Sequence, residues 1–92
     1  MTSEQNRTLK IVNEKGLHAR ASAKFVEVVE QHDAAARVER DGLDAEGDSI
    51  MGLLMLAASK GTTIDVQTSG PQAVQLMEAL DALVADKFGE GI

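Results

Sequence analysis

Apolar side chains in this chain change their spacing repeatedly, and this change constrains the fold more than any other feature of the sequence. A spacing of two residues predicts a strand with one buried face, whereas spacings of three and four predict an amphipathic helix. The order that follows, β-α-β-β-α-β-α, predicts an α+β fold in which helices cover one face of a single sheet. The predicted strands are 8–13, 36–40, 43–46 and 62–69, and the predicted helices are 19–31, 50–58 and 71–88.

Turn and capping residues mark the ends of these segments. Asp41-Gly42 separates the second and third strands by only two residues, which predicts a tight hairpin and antiparallel pairing of the two strands. Ser49 directly precedes an apolar run and suits the N-cap of the second helix. Pro71 suits the first position of the last helix. Strand order across the sheet does not follow from these signals.

Composition narrows the class of protein. A length of 92 residues predicts one domain, and we expect it to span 1–92 with frayed tails at 1–7 and 89–92. The sequence has no cysteine, which excludes disulfides and Cys-ligated metal sites and fits a cytoplasmic protein. No stretch approaches the ~18 apolar residues of a membrane span. The polar start of the chain also lacks the apolar stretch of a signal peptide.

Charge and aromatic content bear on the class of partner. The net charge is −6, and such a chain repels the phosphate backbone of nucleic acids. Phe25 and Phe88 are the only aromatic residues, so a platform for stacking bases is not expected. We therefore expect a protein partner or a small ligand and no nucleic acid.

Gly16-Leu17-His18-Ala19-Arg20 joins the end of a predicted strand to the start of a predicted helix. Unpaired backbone N–H groups and the positive end of the helix dipole would surround His18 there. That environment disfavours the imidazolium and offers donors to a phosphoryl group. Arg20 could add charge-assisted hydrogen bonds to the same oxygens. A lone histidine at a helix start is most often incidental, however, so these residues alone leave a structural role open.

The stretch 16–20 resembles the active-site motif of the HPr phosphocarriers of the bacterial phosphotransferase system. The stretch from Asp48 to Leu53 (DSIMGL) resembles the second motif of that family, a regulatory serine and its helix. The separation of the two motifs, the Asp41-Gly42 hairpin and the final helix also match. The resemblance extends over 8–84, which is nearly the whole chain.

The resemblance implies an open-faced β-sandwich, with a four-stranded antiparallel sheet and three helices on one face. It implies that enzyme I, phosphorylated by phosphoenolpyruvate, passes its phosphoryl group to His18 through the ring nitrogen nearer the backbone. Arg20 would orient the group, and an enzyme IIA histidine would receive it next. The chain would be an intermediate in phosphoryl transfer rather than a stand-alone catalyst, with no cofactor and no metal of its own, and we expect a monomer.

Ser49 matches the serine that an HPr kinase/phosphorylase modifies in many bacteria. A phosphate there would lie at a helix start, where charge is tolerated, and would oppose acidic partners. Ser49 could instead serve only as an N-cap, a role that contributes about 1 kcal/mol.

The helix that follows Ser49 is apolar nearly all round. We expect Leu53 and Leu56 to face the core. The other apolar side chains would form an exposed surface for partner proteins near the first motif, with methionine suited to several partners. Burial in the core is the alternative for each of them. These partner-surface residues are Ile50, Met51, Leu54 and Met55.

Three positions depart from the common family pattern. Ala21 stands where proline usually follows the arginine, and Glu27 and Glu30 stand where many sugar-pathway members carry lysines. These departures resemble the nitrogen-related, regulatory HPr proteins of proteobacteria. A regulatory output is therefore favoured slightly over sugar uptake.

Two other functions compete with the phosphocarrier. The chain could be a regulatory binding module that controls partners according to its phosphorylation state, without a role in sugar uptake. His18 argues against a module that acts through Ser49 alone, because such a module has no need of the imidazole. A general ligand-binding domain would need a pocket-forming glycine-rich loop, which the sequence does not show. An independent hydrolase is disfavoured, because one histidine and one arginine supply no second acid–base group.

Overall fold

A computed structural model describes residues 3–90 of the chain. Its sheet has four antiparallel strands in the order β1-β4-β2-β3, and its helices lie on one face. The predicted α+β fold with an open sheet face is confirmed. The strands are β1 (Ser3–Lys10), β2 (Ala35–Arg40), β3 (Leu43–Glu46) and β4 (Thr63–Gly70). The helices are α1 (Ala19–Glu30), α2 (Ile50–Met55) and α3 (Ala73–Ala85), followed by a 3-10 turn, Lys87–Gly89.

The β2–β3 hairpin forms where the sequence predicts it. Arg40 and Leu43 are paired across the turn, and Asp41 and Gly42 have φ values of 51° and 79°. Two successive positive φ values are those of a type I′ turn, which suits a two-residue hairpin because its twist matches that of the strands.

The core lies between the inner face of the sheet and the helices. Phe25 and Leu76 are fully buried on α1 and α3, and Val38 and Ile64 are fully buried on β2 and β4. The residues buried on α1 and α3 recur at spacings of three and four, as the sequence predicts: Ser22, Phe25, Val26 and Val29 on α1, and Leu76, Met77, Leu80 and Val84 on α3. α3 packs on β1 and β4, and α1 packs against α2 and α3, so this packing fixes where α1 begins and therefore where His18 lies.

The first strand is longer than predicted, and the expected frayed tail at 1–7 is wrong for residues 3–7. β1 pairs with β4 along its whole length, from Ser3 opposite Gly70 to Lys10 opposite Thr63. Its side chains are largely polar because β1 is an edge strand, so periodicity gave little sign of it. Residues 1 and 2 lie outside the described part of the chain.

The second helix is shorter than predicted and ends at Met55. Ala57 has a φ of 52°, which ends the helical path, and the carbonyl of Ala58 accepts a hydrogen bond from the Leu17 N–H at 2.8 Å. Ala57 and Ala58, the last two residues of the apolar run, therefore lie against the loop that carries His18 instead of extending α2.

The last helix is also shorter than predicted, because Pro71 lies in the preceding turn and α3 spans Ala73–Ala85. Beyond α3 the chain reverses through the 3-10 turn. The expected frayed tail at 89–92 is wrong for residues 89 and 90, because the side chain of Glu90 is 11% exposed and hydrogen-bonded. Residues 91 and 92 lie outside the described part.

Candidate functional site

The loop between β1 and α1 packs against the segment between α2 and β4. The backbone N–H of Ile11 donates to Thr62, and the carbonyl of Ile11 accepts from Gly61. Gly16 is buried with a φ of 65°, and a Cβ at this position would lie 2.4 Å from the carbonyl oxygen of Ala58. Only glycine allows this approach of two backbones. The loop is therefore held firmly just before the histidine.

His18 is the N-cap of α1, where the sequence predicts it. Its Nδ1 accepts a hydrogen bond from the backbone N–H of Arg20 at 3.2 Å, and its carbonyl accepts from Ser22 at 2.8 Å. The side chain is 26% exposed, so the ring edge is open to solvent. Because Nδ1 is an acceptor, its lone pair points towards the first turn of α1, where backbone N–H groups are unpaired.

The other ring nitrogen of His18 contacts a carboxylate that the sequence did not reveal. Nε2 lies against Oε2 of Glu90, and Oε1 of Glu90 accepts from Nδ2 of Asn13 at 3.0 Å. A carboxylate accepts hydrogen bonds, so this contact favours a proton on Nε2 and leaves Nδ1 unprotonated.

Its neighbours lower the pKa of the Glu90 carboxyl below its ordinary value of 4.5. The hydrogen bond from Asn13 is the main cause; the hydrogen bond from His18 and the charges of His18 and Lys15 add to it, while burial opposes it. Because its pKa in the folded protein is depressed, the contribution of Glu90 to stability is present at neutral pH and is lost as the pH falls through that lowered value.

Three cationic side chains lie beside His18. Lys15, Arg20 and Lys24 line the same cleft of about 370 Å³ as His18 and Glu90. Arg20 is exposed in the first turn of α1, and within residues 3–90 its guanidinium forms no ion pair. The site therefore combines a nucleophilic nitrogen, oriented backbone donors and positive charge, which suits a transferable phosphoryl group.

Ser49 is the N-cap of α2, as predicted. Its Oγ accepts a hydrogen bond from the Gly52 N–H at 3.0 Å, and its carbonyl accepts from Leu53 at the same distance. The side chain is half-buried, and Asp48 beside it is exposed. The structure therefore accounts for Ser49 as a cap, while the hydroxyl lies at the edge of the surface.

The apolar face of α2 divides between core and solvent. Leu53 and Leu56 are buried, which confirms the expectation that they face the core. Met51 and Met55 are 70% and 72% exposed. Ile50 is also exposed and Leu54 is half-buried, so the predicted surface residues Ile50, Met51, Leu54 and Met55 form an apolar patch. The segment directly after α2 lines a cleft shared with His18, and α2 itself packs against α1, the helix that begins after His18.

Glu90 and Asn13 are the residues of the site that reasoning from the sequence missed. Glu90 is 72 positions from His18, in a segment expected to be frayed. Phe88 is the sequence feature that could have indicated an ordered C-terminal segment. An aromatic side chain after the last helix is commonly buried, and its burial holds the neighbouring residues in place. No group of three or more metal-binding side chains occurs between residues 3 and 90. In the same range no helix is both long and apolar enough to cross a membrane.

Comparisons with known proteins assign the family. Residues 5–86 match the family model described as "PTS HPr component phosphorylation site". A phosphocarrier protein HPr of Cupriavidus necator is 44% identical over 81 residues, covering 88% of this chain and 91% of that protein. A phosphocarrier protein NPr of Escherichia coli K12 is 38% identical over 91 residues, covering 98% and 99%.

Solved structures agree with this assignment. A crystal structure of HPr-C-His from Thermoanaerobacter tengcongensis aligns with a TM-score of 0.90 at 33% identity, covering 96% of this chain and 99% of that one. An HPr structure from Bacillus anthracis aligns with a TM-score of 0.84 over 89% of this chain. The chain belongs to the HPr family of phosphocarrier proteins of the phosphotransferase system.

Proposed function

We propose that the chain accepts a phosphoryl group from phosphorylated enzyme I on Nδ1 of His18 and passes it to a histidine of an enzyme IIA. The observation that carries the proposal is the position of Nδ1, which faces the first turn of α1 as a hydrogen-bond acceptor. Phosphoenolpyruvate is the ultimate donor, and the relay operates in the cytoplasm.

The geometry provides hydrogen-bond donors for the incoming phosphoryl group. As the Nδ1 lone pair attacks phosphorus, the Arg20 N–H that now donates to Nδ1 becomes free to donate to a phosphoryl oxygen. The guanidinium of Arg20 adds a charge-assisted donor fork from the solvent side. The amides are already oriented, so little reorganisation is needed when charge arrives.

Incubation with enzyme I and phosphoenolpyruvate tests the proposal. We expect the intact mass to rise by one phosphoryl group, and we expect the label to be acid-labile and base-stable, as a P–N bond is. Peptide mapping is expected to locate it on His18. A protein that stays unlabelled, or carries its label on another residue, would contradict the proposal.

The regulatory role of Ser49 is a separate part of the proposal. Ser49 is exposed enough to be reached at the surface edge, and a phosphate on its Oγ would face the first amides of α2. The added charge, about −2, would lie beside the apolar patch and the carboxylate of Asp48. Phosphorylation should therefore weaken docking of an acidic partner without unfolding the protein.

Incubation with an HPr kinase/phosphorylase and ATP is expected to add one acid-stable phosphate to Ser49, as measured by intact mass and peptide mapping. Ser49→Ala removes the acceptor and should abolish labelling while lowering the free energy of unfolding by about 1 kcal/mol, since the cap is lost. Labelling of the Ser49→Ala variant, or none in the native protein, would leave Ser49 with a capping role only.

The apolar patch of Ile50, Met51, Leu54 and Met55 is proposed as the surface that partner proteins contact. Exposed apolar side chains of this kind beside a reactive residue mark interaction surfaces. We expect Met51→Asp to slow phosphorylation by enzyme I about ten-fold, because a central contact residue commonly contributes 1–2 kcal/mol to binding. Rates measured at limiting enzyme I concentration test this.

Val74→Asp is the matched control for Met51→Asp. Val74 is 42% exposed on α3, which begins at the end of β4 farthest from the His18 loop, roughly 20 Å away by strand rise. Both substitutions should leave the free energy of unfolding within about 0.5 kcal/mol of the native value, since both sites are exposed. Equal phosphorylation rates for the two variants would contradict the patch.

A regulatory, nitrogen-related output is the second candidate for the relay. Glu27 and Glu30 are exposed on α1, which makes this side of the protein acidic. The similarity to an NPr extends over 98% of the chain, although the HPr relatives reach a higher identity. The two outputs share the chemistry at His18 and differ in the enzyme IIA that receives the phosphoryl group.

A further inference from the structure

The segment after α3 takes an unusual backbone path towards the site. Lys87, Phe88 and Gly89 have φ values of 57°, 55° and 76°, so three successive residues lie in the left-handed region. A side chain with a Cβ is strained in that region, and such strain persists only where surrounding contacts impose it.

The contacts that impose this path come from the core and from α1. The side chain of Phe88 is fully buried, and its carbonyl accepts a hydrogen bond from Nζ of Lys24 at 2.7 Å. Within the turn, the N–H of Glu90 donates to the carbonyl of Lys87 at 3.0 Å. These contacts hold the turn in place, and the turn positions Glu90 at the site.

The carboxylate of Glu90 is bound at both oxygens. Asn13 is fully buried, and its Nδ2 donates both to Oε1 of Glu90 at 3.0 Å and to the carbonyl of Gly16 at 2.8 Å. Oε2 contacts Nε2 of His18. Asn13 thus links the Glu90 carboxylate to the loop that carries His18. The position of the carboxylate relative to the imidazole ring is therefore fixed.

We propose that Glu90 is a positioning residue for His18, which holds the proton on Nε2 and so presents Nδ1 as the single nucleophilic nitrogen. This inference rests on the proposed function of His18 and names the group that selects the reacting atom. Without Glu90 the neutral ring could carry its proton on either nitrogen, and only the form with the proton on Nε2 has a lone pair at Nδ1.

The same contact would act during transfer. The Nδ1 lone pair forms the bond to phosphorus, while the atom that leaves the phosphoryl donor keeps the electron pair of the broken bond. The proton on Nε2 stays in place, so the ring gains positive charge as the bond forms. The Glu90 carboxylate stabilises that charge through its hydrogen bond, as a buried carboxylate does for a catalytic imidazole elsewhere.

Glu90 also covers the competing nitrogen. A phosphoryl group carries negative charge, and the carboxylate against Nε2 repels it there, whereas Lys15 and Arg20 attract it on the open side of the cleft. The choice of Nδ1 over Nε2 is therefore expected to depend on Glu90.

The variants Glu90→Ala and Glu90→Gln test the inference, with Glu14→Gln as the control. Glu14 is exposed in the same loop and pairs with Lys60, so its substitution removes one charge without touching His18. Ring ¹⁵N chemical shifts of His18 in the unphosphorylated protein report the tautomer. Phosphoryl transfer from enzyme I reports the rate, and ³¹P NMR of the product reports the nitrogen that carries the group.

The native protein and Glu14→Gln are expected to show one tautomer with the proton on Nε2. Glu90→Ala should show a mixture of the two tautomers and some product phosphorylated on Nε2. Its phosphoryl-transfer rate should be lower by about ten- to hundred-fold, which corresponds to the loss of one hydrogen bond to a charged group. Glu90→Gln should keep the tautomer, because its amide oxygen can accept from Nε2, yet transfer more slowly because the charge is gone.

A single unchanged tautomer in Glu90→Ala, or a native rate in both Glu90 variants, would overturn the inference. Circular dichroism of each variant shows whether the fold is kept, and Glu90→Gln preserves the shape of the side chain. If the native protein accepts no phosphoryl group at all, the proposed function fails, while the ¹⁵N shifts still decide whether Glu90 controls the ring.

Discussion

Replacing His18 by alanine is expected to abolish phosphoryl acceptance from enzyme I, lowering the rate by at least about 1,000-fold, as loss of a nucleophile does. The other histidine cannot replace it, because His32 is beyond the far end of α1 and its Nδ1 donates to the carbonyl of Val28 at 2.8 Å. The variant should stay folded. It loses one cap, which is worth about 1 kcal/mol, out of the 5–15 kcal/mol of an ordinary domain.

His18→Asn separates the chemistry from the fold more sharply. Asparagine is among the best N-cap residues, so its side-chain oxygen can accept from the Arg20 N–H in place of Nδ1. It has no nucleophilic nitrogen, so acceptance should again be lost while stability is preserved. His32→Ala should accept the label at the native rate. An acid-labile, base-stable label on a folded His18→Asn protein would refute the assignment of the site.

Replacing Gly16 by alanine should lower the free energy of unfolding by about 3 kcal/mol or more. The left-handed backbone, with φ of 65°, costs alanine about 1–2 kcal/mol. In addition, the new Cβ would lie 2.4 Å from the carbonyl oxygen of Ala58 and 2.9 Å from Cα of Ser59, both of which are backbone atoms. Backbone atoms cannot rotate away as side chains can, so this overpacking lowers the free energy of unfolding further, by about 1–3 kcal/mol. Urea unfolding followed by circular dichroism measures the sum.

Gly42→Ala is the matched control for this effect. Gly42 has a φ of 79°, but a Cβ there would have nothing within 4 Å. In Gly42→Ala only the backbone strain should lower the free energy of unfolding, by about 1–2 kcal/mol. Equal losses in the two variants would contradict the argument from the close approach of the loop to the segment after α2.

Gly16→Ala is also expected to slow phosphorylation while the protein remains folded. The clash forces the loop away from Ala58, which now accepts the Leu17 N–H at 2.8 Å. His18 directly follows Leu17, so its ring would move relative to the first turn of α1. Gly42→Ala should keep the native rate, because neither Asp41 nor Gly42 lines a cleft at His18.

Local signals predicted the elements in which neighbouring residues determine the conformation. The Asp41-Gly42 hairpin, the buried stripe of α1 and the capping positions of His18 and Ser49 all depend on residues within a few positions of one another. These are properties that backbone geometry imposes on any chain with that pattern. The first part of β1 could not be found in this way, because its pairing is with β4, about 60 residues away, and its polar side chains are those of an edge strand.

The sequence alone determined the fold class and the two residues, His18 and Ser49, on which the proposed function depends, because their surroundings are built from adjacent backbone groups. Only the tertiary structure decided the rest of the site. It ended α2 early to support the loop at Gly16, and it turned the chain after α3 so that Glu90 reached Nε2 of His18. Contacts of this kind depend on how the core packs Phe88, and packing between distant segments leaves no periodic trace in the chain.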